Sequence, residues 1–353
     1  NCGVVHDKRR REYTKLARLS SEGRSTATTL LCLSAVTQLQ QASEKEVISP
    51  DATKVLSFTD NRQDASLQAG HFNDFVQTSF LRGGLNQALR EKQTLTHAEL
   101  AQAVVKQMGI TQDYYAKQPA EYGAGKNRNE RAFRELIEYR LYEDLRRGWR
   151  IMQPNLEQCG LLSIVYDGLE ELCETASVWE GHPILQQATP QQRYRSTKVL
   201  LDQLRKQLAL DAELLQRERL EQLQRETSIL NDSWKIDSGE QLHTAKWATW
   251  VQEEKGRGRK KELIKLTGKS TVGRFLRSPQ AWEWRDQSLS EDEYQRLIIA
   301  LVEVLCASGY LYREGNAVQL QVSSLIWQKE TLDEIPLDPL NSKQLQGSDR
   351  TTT

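Results

Sequence analysis

The sequence predicts a mainly α chain with a small α/β part, and three observations carry that prediction. Most of the stretch from residue 85 to 227 repeats its apolar residues at steps of three and four, the period of a helix with one buried face. A short apolar run at residues 55–58 is followed at once by a polar turn and a further helical pattern. Between residues 290 and 322 a capped helix, a glycine and two alternating segments read as a helix followed by a β-hairpin.

Composition narrows the function classes. A chain of 353 residues has room for two or three domains with real cores. Lys and Arg number 48 and Asp and Glu also 48, so no global field draws the chain to nucleic acid or a membrane, and any such contact is local. No apolar run approaches the roughly 18 residues of a membrane span, and no signal-peptide pattern opens the chain. The five cysteines, Cys2, Cys32, Cys159, Cys173 and Cys306, are scattered and odd in number. That pattern argues for a reducing, cytoplasmic setting and against a disulfide framework.

The elements follow in order. Cys2-Gly3 reads like the second half of a Cys-x-x-Cys-Gly zinc knuckle, but one Cys with His6 cannot close a tetrahedral site. A zinc ribbon would need most of its ligands upstream, and an ordinary thiol is the stronger reading. A basic cluster, Lys8 to Arg11, precedes Tyr13, Leu16 and Leu19 at helical steps, and a helix is predicted over 24–41. A strand is predicted at 54–58. The helix at 61–81 has Asp60 as N-cap and Gln63 where a capping box wants it, with Ala65, Ala69, Phe72 and Val76 on one stripe. Arg62 falls in its first turn, where a guanidinium fork suits a phosphate bidentately. Gly83-Gly84 should break that helix.

Further helices are predicted over 85–91, 97–108, 130–147, 156–175 and 191–227, with Pro183 to Pro190 as a linker. In the last of them Leu200, Leu201, Leu204, Leu208, Leu214, Leu215, Leu220 and Leu223 mark an amphipathic helix or helical pair. Their spacing is not a clean heptad, which favours an intramolecular scaffold over a dimeric coiled coil.

Two stretches invite a ligand. Gly268-Lys269-Ser270-Thr271 resembles the end of a phosphate-binding loop, but position 263, where the first glycine belongs, is Leu263. Without that turn the backbone cannot wrap a phosphate, and a turn before a short helix at 272–277 is expected instead. The loop Lys255-Gly256-Arg257-Gly258-Arg259-Lys260-Lys261 is the sharpest charge cluster. It suits a phosphate backbone as well as it suits a solvated loop, with Arg257, Arg259 and Lys260 as the candidate contacts. The flanking Trp234, Trp247, Trp250, Trp282 and Trp284 are expected to be core anchors rather than base-stacking groups.

At the C-terminal end Ser290 and Glu293 form a capping box, and Leu297, Ile298, Leu301, Val304 and Leu305 make the buried face. Gly309 ends the helix, and a hairpin turning at Glu314-Gly315-Asn316 follows. This order is the shape of a winged-helix domain. The exposed face of residues 290–305 carries several acids and one arginine, Arg296, which favours a structural role over base readout.

The run Leu56-Ser57-Phe58-Thr59-Asp60-Asn61-Arg62-Gln63-Asp64-Ala65, continued by Gln68-Ala69-Gly70-His71-Phe72-Asn73-Asp74-Phe75, resembles the fourth helicase motif of large bacterial DEAD/DEAH-box (superfamily 2) helicases. Glu22-Gly23-Arg24-Ser25-Thr26-Ala27-Thr28-Thr29-Leu30 is similar to the family's helix start just upstream. The resemblance implies the opening of a RecA-like second lobe over residues 1–84. A helical insertion then spans 85–254, a basic loop with a winged-helix-like domain spans 255–330, and a tail spans 331–353. It also implies backbone contacts to DNA, as a single strand or a duplex junction, from Arg24, Ser25, Thr26, Asn61 and Arg62.

ATP and Mg²⁺ are implied for a full-length motor. The family's phosphate-binding loop, Asp-Glu box and arginine-finger run are not found between Asn1 and Thr353. The chain is therefore expected to act with other lobes of the same polypeptide and not to hydrolyse ATP alone. The competing class is a non-enzymatic helical scaffold or regulator with a winged-helix interaction module.

Overall fold

A computed structural model describes residues 13–55, 62–146, 155–251, 263–283, 286–330, 337–338 and 343–344. The chain divides into two compact units, residues 1–80 and residues 81–351. The predicted mainly helical architecture with a small sheet component is what the chain adopts.

In the first unit a long helix, α1 (Tyr13–Glu44), extends well upstream of the predicted start at residue 24. It leads to a 3₁₀ turn, Pro50–Ala52, where the Ser49 hydroxyl accepts from the Asp51 amide and Pro50 fills the first position. Residues 54 and 55 have no regular structure. The rest of the predicted strand, with the Asp60 cap, lies outside the described residues.

Helix α2 (Arg62–Lys92) covers the predicted helix and runs on through Gly83-Gly84. The packing explains why the glycine pair does not break it. A Cβ on Gly84 would lie 2.6 Å from Met108 Cγ and 3.0 Å from the Val104 carbonyl, so the glycine admits close approach of a neighbouring helix.

In the second unit β1 (Thr94–Thr96) leads into that neighbour, α3 (His97–Met108). A Thr96/Glu99 capping box opens α3, and left-handed Gly109 (φ 63°) closes it. Short α4 (Gln112–Tyr115) precedes α5 (Ala124–Leu145). The helix predicted over 156–175 is instead a turn, the strand β2 (Leu162–Tyr166) and the short helix α6 (Leu169–Glu174). In β2 Leu162, Ile164 and Tyr166 are buried and Ser163 and Val165 are half-buried, a period of two embedded in a stretch whose apolar spacing also fits a helix.

The presumed linker is helical: α7 (Pro183–Gln187), then α8 (Pro190–Lys206), each with proline in its first turn. A Thr189/Gln192 capping box reinforces α8. The stretch predicted to residue 227 as one long helix or a helical pair is two helices, parted after Leu208, which takes a left-handed φ of 58°. Beyond it come β3 (Leu210–Asp211) and α9 (Arg217–Glu226). All eight leucines of that stretch are buried in the unit's own core, as an intramolecular scaffold requires.

The remaining elements are β4 (Trp247–Thr249), β5 (Leu263–Lys265), α10 (Thr271–Arg277), α11 (Glu291–Ala307), β6 (Leu311–Glu314), β7 (Ala317–Gln321) and β8 (Leu325–Lys329). Ser290 and Glu293 form the expected capping box, and Gly309 follows the helix with φ 79°. Strand β8 lies between β1 and β2, antiparallel to both. In the second sheet β7 is central. The hairpin partner β6 runs antiparallel along one edge. Along the other edge β3 pairs parallel and β4 antiparallel, and β5 extends the sheet parallel to β4. Helices α8, α10 and α11 contact one another or this sheet. One hydrophobic core draws on described residues from Leu81 to Trp327, on both sides of the predicted division at 254/255, so the insertion and the hairpin region share it. Two further two-residue strands pair at 337–338 and 343–344.

Candidate nucleic-acid interface

Four of the eight sequence-derived contact residues fall on described helices. Arg24, Ser25 and Thr26 lie on α1, about midway along it, and Arg62 lies on α2. Asn61, Arg257, Arg259 and Lys260 lie outside the described residues, as do Cys2, His6 and Trp284. The strand ends that flank the basic loop are described: Val251 follows β4, and Leu263 begins β5 in parallel register with Trp247.

The Gly268–Thr271 turn has a definite occupant. The Gly268 amide donates to Glu291 Oε1 at 3.2 Å, and Arg277 Nη1 donates to Glu291 Oε2 at 2.8 Å. The Ser270 hydroxyl accepts from the Gly273 amide at 3.0 Å and caps α10. A carboxylate of the chain itself thus sits where a phosphate would have to bind, and an anion there would meet like charge. This turn does not fit ATP.

Helix α11 offers little to a DNA groove. Tyr294, Leu297, Ile298, Leu301, Val302 and Leu305 are buried, and Ile299, Ala300, Val304 and Cys306 are half-buried against the core. Glu291, Asp292, Arg296 and Glu303 are among the few exposed positions, and three of these four are acids. A helix inserted into the major groove needs a free polar or basic face.

Trp234, Trp250 and Trp282 are core anchors as expected, with the Trp282 indole donating to the Leu276 carbonyl at 2.7 Å. Trp247 departs from that expectation. It alternates with fully buried Ala248 and is half-exposed, so its ring stands on the opposite face of the sheet. There it meets Tyr312 of β6 with ring centroids 6.1 Å apart. Reading the tryptophans as one group hid this exception. The alternation of Trp247 with small Ala248 was the signal available in the sequence.

Three buried charge groups hold the second unit together. Arg82 pairs with Asp144 at 2.6 Å. Glu143, 1% exposed, accepts from Arg140 (2.7 Å) and Tyr139 (3.1 Å), and its Oε1 lies 2.8 Å from His243 Nδ1. With the Arg140–Glu240 pair, these bonds tie residues 240–243 onto α5. Burial works to raise the Glu143 pKa, but His243 and Arg140 hold it below the usual carboxylate range.

The third group centres on Arg205, which is fully buried. It donates to Glu157 at 2.8 and 3.1 Å and to Asp202 at 3.2 Å. Asp202 also accepts from Lys198 and Tyr166. Burial opposes ionisation of Glu157, yet the charges of Arg205 and Lys206 keep its pKa lowered. Arg205 Nε is buried without a hydrogen-bond partner, and beside Glu157 a cavity of about 10 Å³, lined also by Asp144, Asn155 and Trp327, has room for one water. These networks are paired internally and read as scaffold. The Cys173 thiol, pushed up to about 12 by burial, is no nucleophile.

Among the described residues no cluster of His, Cys, Asp and Glu suits a metal ion, and no helix is long and apolar enough to cross a membrane. No protein-family model matches the chain, and neither the curated proteins nor the solved structures contain a match to it.

Proposed function

We propose that this chain is a segment of an ATP-driven DNA helicase or translocase of superfamily 2. In this reading residues 1–84 open a RecA-like second lobe, and the rest forms a helical and winged-helix-like accessory region. The observation that carries the reading is the run Leu56 to Ala65, whose later residues lie in the long helix α2. In the family's motif an arginine at this place contacts the nucleic-acid backbone, and a guanidinium suits a phosphate bidentately. ATP and Mg²⁺ belong to the other lobes of the motor. The trio α8, α10 and α11 beside the antiparallel β4–β7–β6 sheet supports the winged-helix-like assignment. With α11 largely buried, that module serves as scaffold.

The test is an Arg62→Ala change in the longest polypeptide encoded in frame with this segment. DNA-stimulated ATPase should fall while the folded state is retained. Unchanged stimulation would remove Arg62 from the proposed contact.

The balanced charge and the acidic exposed positions of α11 favour a second reading, a non-enzymatic scaffold. Under it the chain binds a protein partner and ignores single-stranded DNA at moderate salt.

A further inference from the structure

Between buried Ile236 and the strand β4 the chain has no regular secondary structure, and no residue from 237 to 246 is fully buried. Composition explains it. Asp237-Ser238-Gly239-Glu240-Gln241 has no apolar side chain to bury and favours turns, and Leu242 is the one apolar residue of 237–244, half-buried against the core. Backbone bonding is equally sparse. Among the described residues no backbone group from 238 to 244 bonds to the backbone of another element, and the Glu240 amide donates only to the Asp237 carbonyl of its own turn. The next backbone anchor, the Ala245 amide donating to the Leu215 carbonyl at 2.9 Å, lies beyond the segment.

Side chains hold the segment down, all on one stretch of α5. Glu240 accepts from both ends of the Arg140 fork, at 2.5 Å from Nη1 and 3.0 Å from Nη2. Three residues on, the His243 amide donates to the Tyr139 hydroxyl at 2.9 Å, and the His243 ring meets Glu143 at 2.8 Å. Beneath the segment Tyr139 is fully buried and the Glu143 side chain is 1% exposed, whereas that of Glu240 is 28% exposed at the rim. Arg140 also pairs with Glu143 at 2.7 Å, so the buried charges stay compensated when Glu240 leaves. A segment with little buried apolar surface and no backbone ladder opens at low cost, and here the opening puts only one carboxylate and one imidazole back into water.

We infer that residues 237–244 are a latched strap that lifts off α5 as a unit while the rest of the fold stays closed, with the Glu240–Arg140 fork as the main latch. Lifting uncovers Tyr139 and Glu143 and frees the side of the Arg140 guanidinium that Glu240 fills. The strap is a conformational device of the helical region under either functional reading, and the ATPase test at Arg62 does not bear on it.

The experiment is thermolysin digestion of the 353-residue chain under native conditions, with the initial rate of cleavage between Gln241 and Leu242 followed by mass spectrometry. A bond held against α5 enters a protease site only when the strap lifts, so the rate follows the open population. Glu240→Ala removes both latch bonds and should speed this cleavage roughly tenfold, the scale of one lost hydrogen-bonded charge contact. Glu240→Gln keeps one acceptor and should fall between parent and Ala. Ser290→Ala removes the cap of α11 and lowers global stability, yet should leave the rate unchanged.

Circular dichroism checks that each variant is folded, and the Gln variant carries the test if the Ala variant is not. No cleavage at this bond in folded Glu240 variants, or a rate that they do not change, would overturn the strap. So would a rate that Ser290→Ala raises about fivefold, the mark of cleavage through global unfolding.

Discussion

Arg205 gives the sharpest stability prediction. Replacing it by Met keeps most of the volume and removes the charge together with the guanidinium donors. Asp202 retains Lys198 at 2.7 Å and Tyr166 at 2.9 Å, so it stays compensated. Glu157, whose side chain is 18% exposed, loses both of its guanidinium bonds. Removing one partner of a buried pair costs about 3–5 kcal/mol. At about 2 °C per kcal/mol for a unit of this size, the melting temperature should fall by about 6–10 °C.

The pH dependence fixes the cause. In the parent, the lowered Glu157 pKa contributes stability that is present above its ordinary value of 4.5 and lost as pH falls through the lower folded value. Without Arg205, burial dominates and the folded value rises above the ordinary one. The deficit of Arg205→Met is then greatest at neutral pH and shrinks on acidification. Adding Glu157→Gln should recover most of it. Urea unfolding at several pH values reads all of this. A loss under about 1 kcal/mol, or one that does not change with pH, would refute the account.

Other perturbations test local claims. Ser290→Ala removes the hydroxyl that accepts from the Glu293 amide at 3.2 Å and should cost about 1 kcal/mol in urea unfolding. Gly273→Ala drives a Cβ into the Thr267 carbonyl and to within 2.7 Å of Gly268 Cα. Both obstacles are backbone, so a loss of about 1–3 kcal/mol or more is expected in thermal melts. Gly83→Ala, with nothing within 4 Å of the added carbon, should instead be neutral or slightly stabilising.

What the sequence made legible was what local chemistry determines. The Ser290 capping box, the glycine after α11 and the hairpin at Gly315 depend on residues within a few positions of one another, and each lies where the spacing puts it. Strands β3, β4 and β5 are two or three residues long and exist only through pairing with distant partners, so no periodicity announces them. Helix α2 continues through Gly83-Gly84 because tertiary packing against α3 overrides the local cost of glycine. The Arg205 network joins residues 48 positions apart, beyond any local pattern. The contact of Trp247 with Tyr312 joins strands on either side of β7, beyond any local pattern. Of the contact residues singled out beforehand, Arg24, Ser25, Thr26 and Arg62 lie in helices, while the strand and cap expected before Arg62 lie outside the described residues.

The most direct test of the motor reading is the ATPase rate of the longest in-frame polypeptide containing this segment, with and without single-stranded DNA. The account predicts hydrolysis that DNA stimulates and that Arg62→Ala uncouples from DNA. An intact, folded polypeptide that hydrolyses no ATP under either condition would contradict it and leave the scaffold reading in its place.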